Sequence, residues 1–340
     1  MTDINSPRVT IRDVAITAGV AVSSVSRVLG KHPSVTPEMK FRVESAVKKL
    51  GYQPDLVARS LRTGKTYTVG VMVRDSSNYF YGEMIKIISN AMFEAGYKSM
   101  IINSPGDALG ESNLIKMLDQ RRVDALFLAT AIDESEVLKE AITSFRNPVV
   151  LLDRDFSDLV AGRVFVDHAT GMQSATKDLI ALGHRNIAFL TGTSGIRPTR
   201  ERCKGFNGAF EEAQIKNGFG MPITGIPSSS NARAEMKEIL TLPKYKRPTA
   251  IITGGVDVTI GVIECLSEMG LTPGQDLSLV AVDDLPWLRI LRPRISTVSR
   301  DYELFGITAA NLMLSILSGE EPKAIMLPTR YEARDTSRPI

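Results

Sequence analysis

Four side chains near the N-terminus have the chemistry needed to contact the edges of DNA base pairs: Val22, Ser23, Ser26 and Arg27. An arginine can donate two hydrogen bonds to guanine, a serine hydroxyl can bond a phosphate or a base, and a valine can contact the methyl group of thymine. The hydroxyls of Thr10, Ser24 and Thr36 are further groups of this kind. Together these residues are a candidate DNA-binding surface.

A helix-turn-helix would present these side chains on one face. Residues 10–29 contain two short sets of apolar side chains at helical spacing, and Gly19 separates them. Thr10 and Asp13 predict the cap of the first helix, and Gly19 allows the chain to reverse. Four residues are predicted to lock the two helices together: Ala15, Val20, Val25 and Val28. The same spacing also fits an ordinary helical hairpin in a bundle.

A third helix completes the predicted head. Thr36 followed by Pro37 is typical of a helix start, and Gly51 is typical of a helix end. Its predicted buried face is Phe41, Val43, Ala46, Val47 and Leu50. We therefore predict an all-α helix-turn-helix head over residues 1–54, followed by a short hinge helix and linker over residues 55–66.

The charge is unevenly distributed along the chain. The net charge is +3 over 340 residues, but residues 1–66 contain eleven Lys and Arg against five Asp and Glu, and the other 274 residues contain 30 against 33. A basic head on a slightly acidic body is typical of a polyanion-binding module joined to a globular domain. Cys203 and Cys265 are too few for a disulfide framework or a zinc site and suit a reducing cytoplasm. No segment has the pattern of a signal peptide or a membrane span.

From Tyr67 onward the pattern predicts an α/β body. Apolar runs such as TVGVMV, SMIIN, DALFLA and PVVLLD alternate with amphipathic helices. Such continuous runs are typical of strands covered on both faces, which predicts doubly wound parallel sheets. The series restarts with VFVD, NIAFLT, TAIIT and LSLVAVD, so we expect a second lobe, joined to the first near residues 154–162.

Two such lobes would leave a cleft at the carboxyl ends of their strands, where open α/β sheets bind ligands. Asp153 and Asp283 end two predicted strands, and their carboxylates can accept paired hydrogen bonds from neighbouring hydroxyls of a ligand. Arg202, near a predicted helix start, can donate a fork of hydrogen bonds. An Asp at a strand end can equally be a helix cap or a turn residue.

The enzyme motifs in the chain are incomplete. Gly64-Lys65-Thr66 resembles the end of a phosphate-binding loop, but Arg59 stands where its first glycine is needed. Gly192-Thr193-Ser194-Gly195 begins a nucleophile elbow, but Ile196 replaces the final glycine. His32, His168 and His184 have no cysteine partner at metal-ligand spacing and are predicted to be surface or packing residues. We therefore expect no catalysis, no metal and no cofactor.

Residues 9–66 resemble the DNA-binding head and hinge of the LacI/GalR family of bacterial transcriptional repressors. The similarity lies in TIRDVAITAGV, VSRVL, VTPEMKFRVESAVKKLGYQPD and VARSL, in this order. In that family the hinge helices of two subunits pair in the minor groove, and a leucine from each opens the central base step. Leu61 matches this leucine, and Ala58 matches the face toward the partner helix. A solvated linker is the alternative for this segment.

The resemblance also implies the organisation of the body. The family has a two-lobed body similar to periplasmic sugar-binding proteins, and its chain crosses between the lobes three times. This implies a first lobe over about 67–158 and 294–324, and a second over about 159–293 and 325–340. The second and third crossings are expected near residues 285–293 and 325–329, because a helix predicted over residues 302–317 returns to the first lobe. The implied effector-binding residues are Asp153, Arg202 and Asp283, with Phe80 stacking on the ligand and Tyr302 bordering the pocket.

Two departures from the family lie in the head. Ala21 stands where the family usually has a serine, and Gly30 stands where it usually has an asparagine. Both of the usual residues contact phosphate, so Lys31 is a candidate for replacing their contribution.

Two further departures lie in the cleft. Gly255-Val256 replaces a usual Asn-Asp, and Arg300 replaces a usual Gln. An additional arginine close to Arg202 would leave positive charge uncompensated unless a carboxylate or phosphate of the ligand joins the two, which predicts a sugar acid or a sugar phosphate as effector, with Arg300 as a further effector-binding residue. An internal ion pair of Arg300 with Asp301 or Asp257 is the alternative.

The expected protein is thus a sequence-specific DNA-binding regulator of transcription in the cytoplasm, with repression as the family's usual output. We expect a homodimer, whose two heads bind the halves of a near-palindromic operator. Residues 84–94 and 109–118 are candidates for the dimer surface, and no leucine heptads for a tetramer follow residue 340. A secreted solute-binding protein is the alternative class, and it would need a signal peptide in place of the basic head.

Overall fold

The computed structural model describes residues 9–30, 32–52, 64–133, 135–156, 158–192, 195–215 and 228–340. The chain divides into two compact units, Met1–Thr66 and Tyr67–Ile340. In the part that the structure describes, the first unit is helical and the second is α/β.

The described part of the head consists of α1 (Ile11–Ala18), α2 (Val22–Leu29) and α3 (Pro37–Leu50). α1 begins at a capping box in which Thr10 and Asp13 each bond the backbone N–H of the other residue. Gly19 ends α1 with a φ of 62°, a left-handed conformation that glycine adopts without strain. The helix-turn-helix is therefore present, and α3 starts at the predicted Thr36 cap.

The head has a small core of its own. It is formed by Val14, Ala15, Ala18, Val25, Val28, Val43 and Ala46. The prediction for Phe41 was wrong, because 72% of this side chain is exposed. Each helical residue rotates the side chain by about 100°, so Phe41 lies about 200° away from Val43 and on the solvent side of α3.

The first lobe contains a six-stranded parallel sheet. Its strands are β1 (Thr68–Val73), β2 (Lys98–Asn103), β3 (Ala125–Leu128), β4 (Val149–Leu152), β5 (Gly162–Val166) and β10 (Ala324–Leu327), in the order β10-β5-β4-β3-β1-β2. One face packs on α4 (Tyr79–Glu94) and α12 (Tyr302–Leu317), and the other on α5 (Ala108–Gln120) and α6 (Glu136–Ser144). Helices on both faces explain why the central strands read as continuous apolar runs.

The second lobe contains a five-stranded sheet. Its strands are β6 (Ile187–Leu190), β7 (Ala250–Thr253), β8 (Ser278–Val282), β9 (Ser296–Arg300) and β11 (Thr329–Glu332), in the order β11-β9-β8-β7-β6 with β11 antiparallel. One face packs on α7 (His168–Ala181) and α8 (Arg197–Glu212), and the other on α9 (Ser229–Thr241), α10 (Val256–Glu268) and α11 (Pro286–Ile290). The body is thus the expected pair of doubly wound sheets.

The lobe limits differ from those that the sequence implied. β5 pairs with β4 and β10, so the strand expected to open the second lobe belongs to the first, and the chain crosses near Asp167 instead of 154–162. β9 pairs with β8, so the second crossing follows Arg300 and does not lie at 285–293. The third crossing, at Pro328 between β10 and β11, falls within the expected 325–329. An apolar run predicts a strand, but it does not specify which sheet the strand joins.

Candidate functional site

α2 presents the predicted DNA-contacting residues on one side. Val22, Ser23 and Arg27 are exposed there, and Ser24 and Ser26 are half-buried. Val25 and Val28 point into the head core, and this fixes the orientation of the helix. Val22 is 41% exposed, although an apolar side chain gains nothing from contact with water. The resulting surface is suited to a major groove, with one cation, three hydroxyls and one apolar contact.

Arg42 holds the turn between α1 and α2. Its Nε and Nη2 donate to the carbonyl of Ala18 at 3.0 and 2.7 Å, and Nη2 also donates to the carbonyl of Gly19 at 2.8 Å. These carbonyls have no partner within α1, so the guanidinium acts as a C-terminal cap. Sequence reasoning missed this role, because nothing in the spacing of Arg42 connects it to Gly19.

The remaining predicted DNA-contacting residues fall into two groups. Thr10 and Thr36 are exposed helix caps, so their hydroxyls already bond the backbone of their own helices. Ala58 and Leu61, the predicted hinge residues, lie outside the described residues.

A cavity of about 920 Å³ lies between the two lobes. Five of the predicted effector-binding residues line it: Phe80, Asp153, Arg202, Asp283 and Arg300. Tyr302 does not line this cavity. It packs behind Phe80, with ring centroids 5.7 Å apart, and lines a separate surface depression.

Both cleft aspartates have an unusual backbone conformation. Asp153 has a φ of 55° and Asp283 a φ of 77°, in the left-handed region that non-glycine residues seldom adopt. Each follows directly after a buried strand, β4 and β8 respectively. Such strain persists where the surroundings fix it, and it is concentrated at functional sites.

Asp153 connects the first lobe to the second. Its Oδ1 accepts hydrogen bonds from the backbone N–H of Val166 at 3.2 Å and from Nη1 of Arg197 at 3.0 Å. Its Oδ2 is 2.7 Å from Nε2 of His168 and 3.6 Å from Nη1 of Arg300. Burial alone would raise the pKa of Asp153, but His168, Arg300 and Arg197 outweigh it and hold this pKa well below its ordinary value.

His168 is a buried member of this network and not a surface residue. Burial lowers the pKa of His168 to about 4, so the ring is neutral near pH 7 and its Nε2–H donates to Asp153. A packing role was one of the two predicted for His168, but the bond to Asp153 was not predicted.

Arg300 is bound by groups from both lobes. Its Nε donates to Oδ1 of Asp283 at 2.9 Å and its Nη2 donates to Oδ2 at 3.2 Å. Its guanidinium carbon lies 3.4 Å from the centroid of the Phe80 ring. Burial opposes the charge, but Asp283 and Asp153 outweigh it and raise the pKa of Arg300 above its ordinary value. Arg300 therefore forms an internal ion pair, as the predicted alternative had it, but its partner is Asp283. Asp257, one of the two predicted partners, lies 3.7 Å from Arg74.

Arg202 is a buried cation that lines the cleft and makes one hydrogen bond there. Only 7% of it is exposed, and its Nη1 donates to the carbonyl of Gly254 at 2.8 Å. Its Nε has no hydrogen-bond partner, and no carboxylate of the described residues lies within 4.0 Å of it. Burial, and then the neighbouring Arg300, lower the pKa of Arg202 to about 10, so the side chain still carries its charge at pH 7.

A second carboxylate of the first lobe also reaches the second lobe. Oδ2 of Asp133 accepts the backbone N–H of Arg197 at the start of α8 and lies 3.5 Å from Nη2 of Arg200. Oδ1 lies 3.5 Å from Nε of Arg154, within the first lobe. Burial raises the pKa of Asp133 to about 6, against the opposing effect of Arg154. The run of arginines after Gly195 was the only sequence signal for this contact.

No group of His, Cys, Asp and Glu side chains in the described ranges is arranged to hold a metal ion. Within the same ranges, none of the helices combines the length and the apolar character needed to cross a membrane.

Comparisons with known proteins match both parts of the chain. The family model described as bacterial regulatory proteins of the lacI family matches residues 10–55, and the periplasmic binding protein-like domain matches residues 176–337. The ribose operon repressor of Escherichia coli K12 is 30% identical over 308 residues, which cover 90% of this chain and 92% of that repressor. The transcriptional repressor PurR of Escherichia coli O139:H28 is 31% identical over 333 residues, 96% of each chain.

Solved structures share the fold. The Lac repressor dimer bound to operator and the anti-inducer ONPF superposes with a TM-score of 0.86 at 24% identity, over 98% of this chain and 100% of that chain. A LacI-family regulator of Enterococcus faecium with bound ribose superposes with a TM-score of 0.72 at 23% identity, over 80% of this chain and 99% of that chain.

The helix-turn-helix head and the two-lobed body define a DNA-binding regulator that responds to a small molecule. The chain belongs to the lacI family of bacterial regulatory proteins. It is therefore a DNA-binding regulator of transcription whose binding is modulated by an effector, and the match over residues 10–55 argues against the alternative of a solute-binding protein without a DNA-binding role.

Proposed function

We propose that the chain is a repressor that binds a near-palindromic operator as a homodimer and changes its operator affinity when an anionic sugar derivative enters the cleft between the lobes. The buried cation Arg202, with an unbonded Nε, is the observation that carries the choice of ligand class. A regulator of this kind acts where the bacterial chromosome is, in the cytoplasm.

The DNA side of the proposal is supported by α2. Arg27 and Ser23 are exposed on the helix that follows the turn, and the head carries the excess of basic residues. In a helix-turn-helix, this second helix enters the major groove and the basic residues around it bind phosphates. Arg27 is the residue we assign to a base, because arginine can distinguish guanine by two hydrogen bonds.

The ligand class is supported by the pairing of the charged side chains in the cleft. Asp153 and Asp283 already accept hydrogen bonds from arginines, so few acceptors are left for a ligand that donates. Arg202 offers an unbonded donor, and Asp283 and Asp153 offset its charge without forming an ion pair with it within 4.0 Å. A buried charge is costly unless it is paired, and a carboxylate or phosphate of the ligand would pair it.

Subunit association is supported by apolar side chains at one edge of the first sheet. β2 is the edge strand, and three apolar residues on or beside it are strongly exposed: Phe93 at 71%, Ile101 at 41% and Leu109 at 67%. Phe93 lies in the last turn of α4 and Leu109 in the first turn of α5, within the segments expected at the dimer surface. Exposed apolar side chains next to an edge strand mark a surface for a second chain.

Coupling between cleft and operator follows from unequal affinity. An effector changes operator binding only to the extent that it binds the two arrangements of the lobes with different free energies. Asp153, Asp133 and Arg300 make contacts between the lobes, so a ligand that alters these contacts alters the equilibrium between the arrangements.

Calorimetric titration of the full chain with D-gluconate, D-galacturonate, ribose 5-phosphate and glucose 6-phosphate tests the ligand class. We expect at least one of these anions to bind, and the variant Arg202→Gln to lose most of the affinity. Arg294→Gln is the matched control, because Arg294 forms a bidentate pair with Asp335 away from the cleft. Binding of neutral sugars alone would contradict the proposed ligand class.

A further inference from the structure

We infer that Arg300 determines ligand specificity by occupying the positions in the cleft that a neutral polyhydroxyl ligand would need. Its guanidinium covers the ring of Phe80 and takes both oxygens of Asp283. The inference rests on the proposed function, since it concerns the ligand of the same cleft.

Arg300 lies over one face of the Phe80 ring. The ring is 5% exposed and is surrounded by Tyr81, Tyr302 and Phe305 at centroid distances of 5.1, 5.7 and 5.8 Å. The Arg300 guanidinium carbon is 3.4 Å from the ring centroid, which is stacking distance. A sugar ring that stacks its apolar face on Phe80 must first displace Arg300.

The carboxylates of Asp283 and Asp153 are also occupied by side chains of the protein itself. Both oxygens of Asp283 accept from Arg300, and the two oxygens of Asp153 contact Arg197 and His168. A sugar hydroxyl would replace the paired bonds of a charged guanidinium by the single bond of a neutral donor. The exchange is unfavourable for a neutral ligand, which brings no charge to compensate the released guanidinium.

An anionic sugar derivative has an interaction that a neutral sugar lacks. Its negative group can pair with Arg202, whose Nε is unbonded, and this gain compensates the contacts of Arg300 that its sugar part displaces. Arg300 therefore disfavours neutral sugars more strongly than anionic ones. Arg300 has this effect because it covers Phe80 and bonds Asp283, so replacing it should allow neutral sugars to bind.

Calorimetry on the full chain tests this with D-ribose, D-galactose and D-glucose as probes. We expect wild type and the control Arg294→Gln to show no binding at up to about 10 mM sugar. Arg300→Gln should bind at least one of the three sugars with a Kd at least about tenfold below that concentration. Glutamine retains a polar side chain but can neither cover Phe80 nor pair with both oxygens of Asp283. Equal binding of neutral sugars by wild type and Arg300→Gln, or binding by neither, would overturn the inference.

Two further measurements keep the test decisive. If Arg300→Gln does not melt cooperatively, Arg300→Lys replaces it, because a single ammonium cannot make the same paired bonds, and a smaller gain in neutral-sugar binding is expected. A crystal structure of wild type grown without sugar should show Arg300 on Phe80 and Asp283, and an Arg300 directed away from both would overturn the inference. Operator binding is not part of either result, so a failure to bind DNA would contradict the proposed function alone.

Discussion

Arg300 and Phe80 are in stacking contact although they belong to different lobes, with the guanidinium carbon 3.4 Å from the ring centroid. Arg300 ends β9 of the second sheet, whereas Phe80 lies in the first turn of α4. The contact joins the two lobes at the position where a ligand would enter. The arrangement of the two lobes around the cleft therefore depends on contacts between the protein's own side chains as well as on the ligand.

Replacing Arg27 by Ala should weaken operator binding and relax the base preference. The expected cost is about 1–3 kcal/mol for the preferred site, because a bidentate arginine discriminates guanine by about that amount. Gel-shift titration of the upstream region of the gene, with single-base variants of the bound site, measures both quantities. Lys49→Ala removes one charge from the last turn of α3 and should weaken all sequences equally. An equal loss over all sequences with Arg27→Ala would instead assign Arg27 to a phosphate.

Replacing Arg42 by Ala should loosen the turn of the head. The variant loses the hydrogen bonds to the carbonyls of Ala18 and Gly19, and bonds from a charged donor contribute on the order of 1 kcal/mol or more. Operator affinity should fall, while ligand binding to the body stays unchanged. Lys40→Ala, an exposed change on the same helix, is the control. Unchanged operator affinity and head stability would show that the turn does not need this cap.

Replacing Asp153 by Asn should destabilise the body strongly. The buried guanidinium of Arg197 loses its charged partner, and breaking a buried ion pair by removing one member costs about 3–5 kcal/mol. Urea unfolding followed by circular dichroism gives the difference. Asp335→Asn breaks the exposed pair with Arg294 and should have little effect. A comparable loss in the two variants would mean that Asp153 contributes no more than a surface charge.

Asp133 predicts a pH dependence of stability with a definite sign. Burial raises its pKa in the folded chain to about 6, above the value of about 3.9 for an unperturbed aspartate. The folded state therefore binds the proton more tightly, and this contribution to stability is complete below about pH 4 and is lost as the pH rises through about 6. Between about pH 4 and pH 6 the free energy of unfolding of wild type should therefore fall by on the order of 2 kcal/mol relative to that of Asp133→Asn.

Urea unfolding of wild type and Asp133→Asn at several pH values between 4 and 7 measures this difference. The lowered pKa of His168 changes stability with the opposite sign over a similar pH range. His168 is present in both proteins, so its effect cancels in the difference. Parallel stability curves for the two proteins would contradict a raised pKa for Asp133.

The repeating units of the fold were predictable because their signals are local. The helix at Tyr302–Leu317 has the predicted limits, and the caps at Thr10 and Thr36 depend on residues three positions apart or fewer. The assignment of strands to sheets was not predictable in this way. β5 joins the first sheet because Val164 and Val166 pack on that core, a contact that the strand's own sequence does not specify.

The candidate site was predictable as a set of residues but not as a set of bonds. Phe80, Asp153, Arg202, Asp283 and Arg300 line one cavity, as the sequence comparison implied. The partner of Arg300 was assigned to Asp301 or Asp257, whereas Asp283 on the neighbouring strand takes the bond. The bonds of Arg197 and His168 to Asp153 were not predictable, because Asp153 is distant from both residues in the sequence.

Operator affinity of the full chain, measured with and without a saturating anion identified by calorimetry, tests most directly whether the cleft controls the head. We predict specific binding to the upstream region of the gene that weakens with salt, and a change of about tenfold or more in its Kd when the anion is present. The same change should be absent in Arg202→Gln. An operator Kd that is the same with and without a bound anion would contradict control of DNA binding by the cleft.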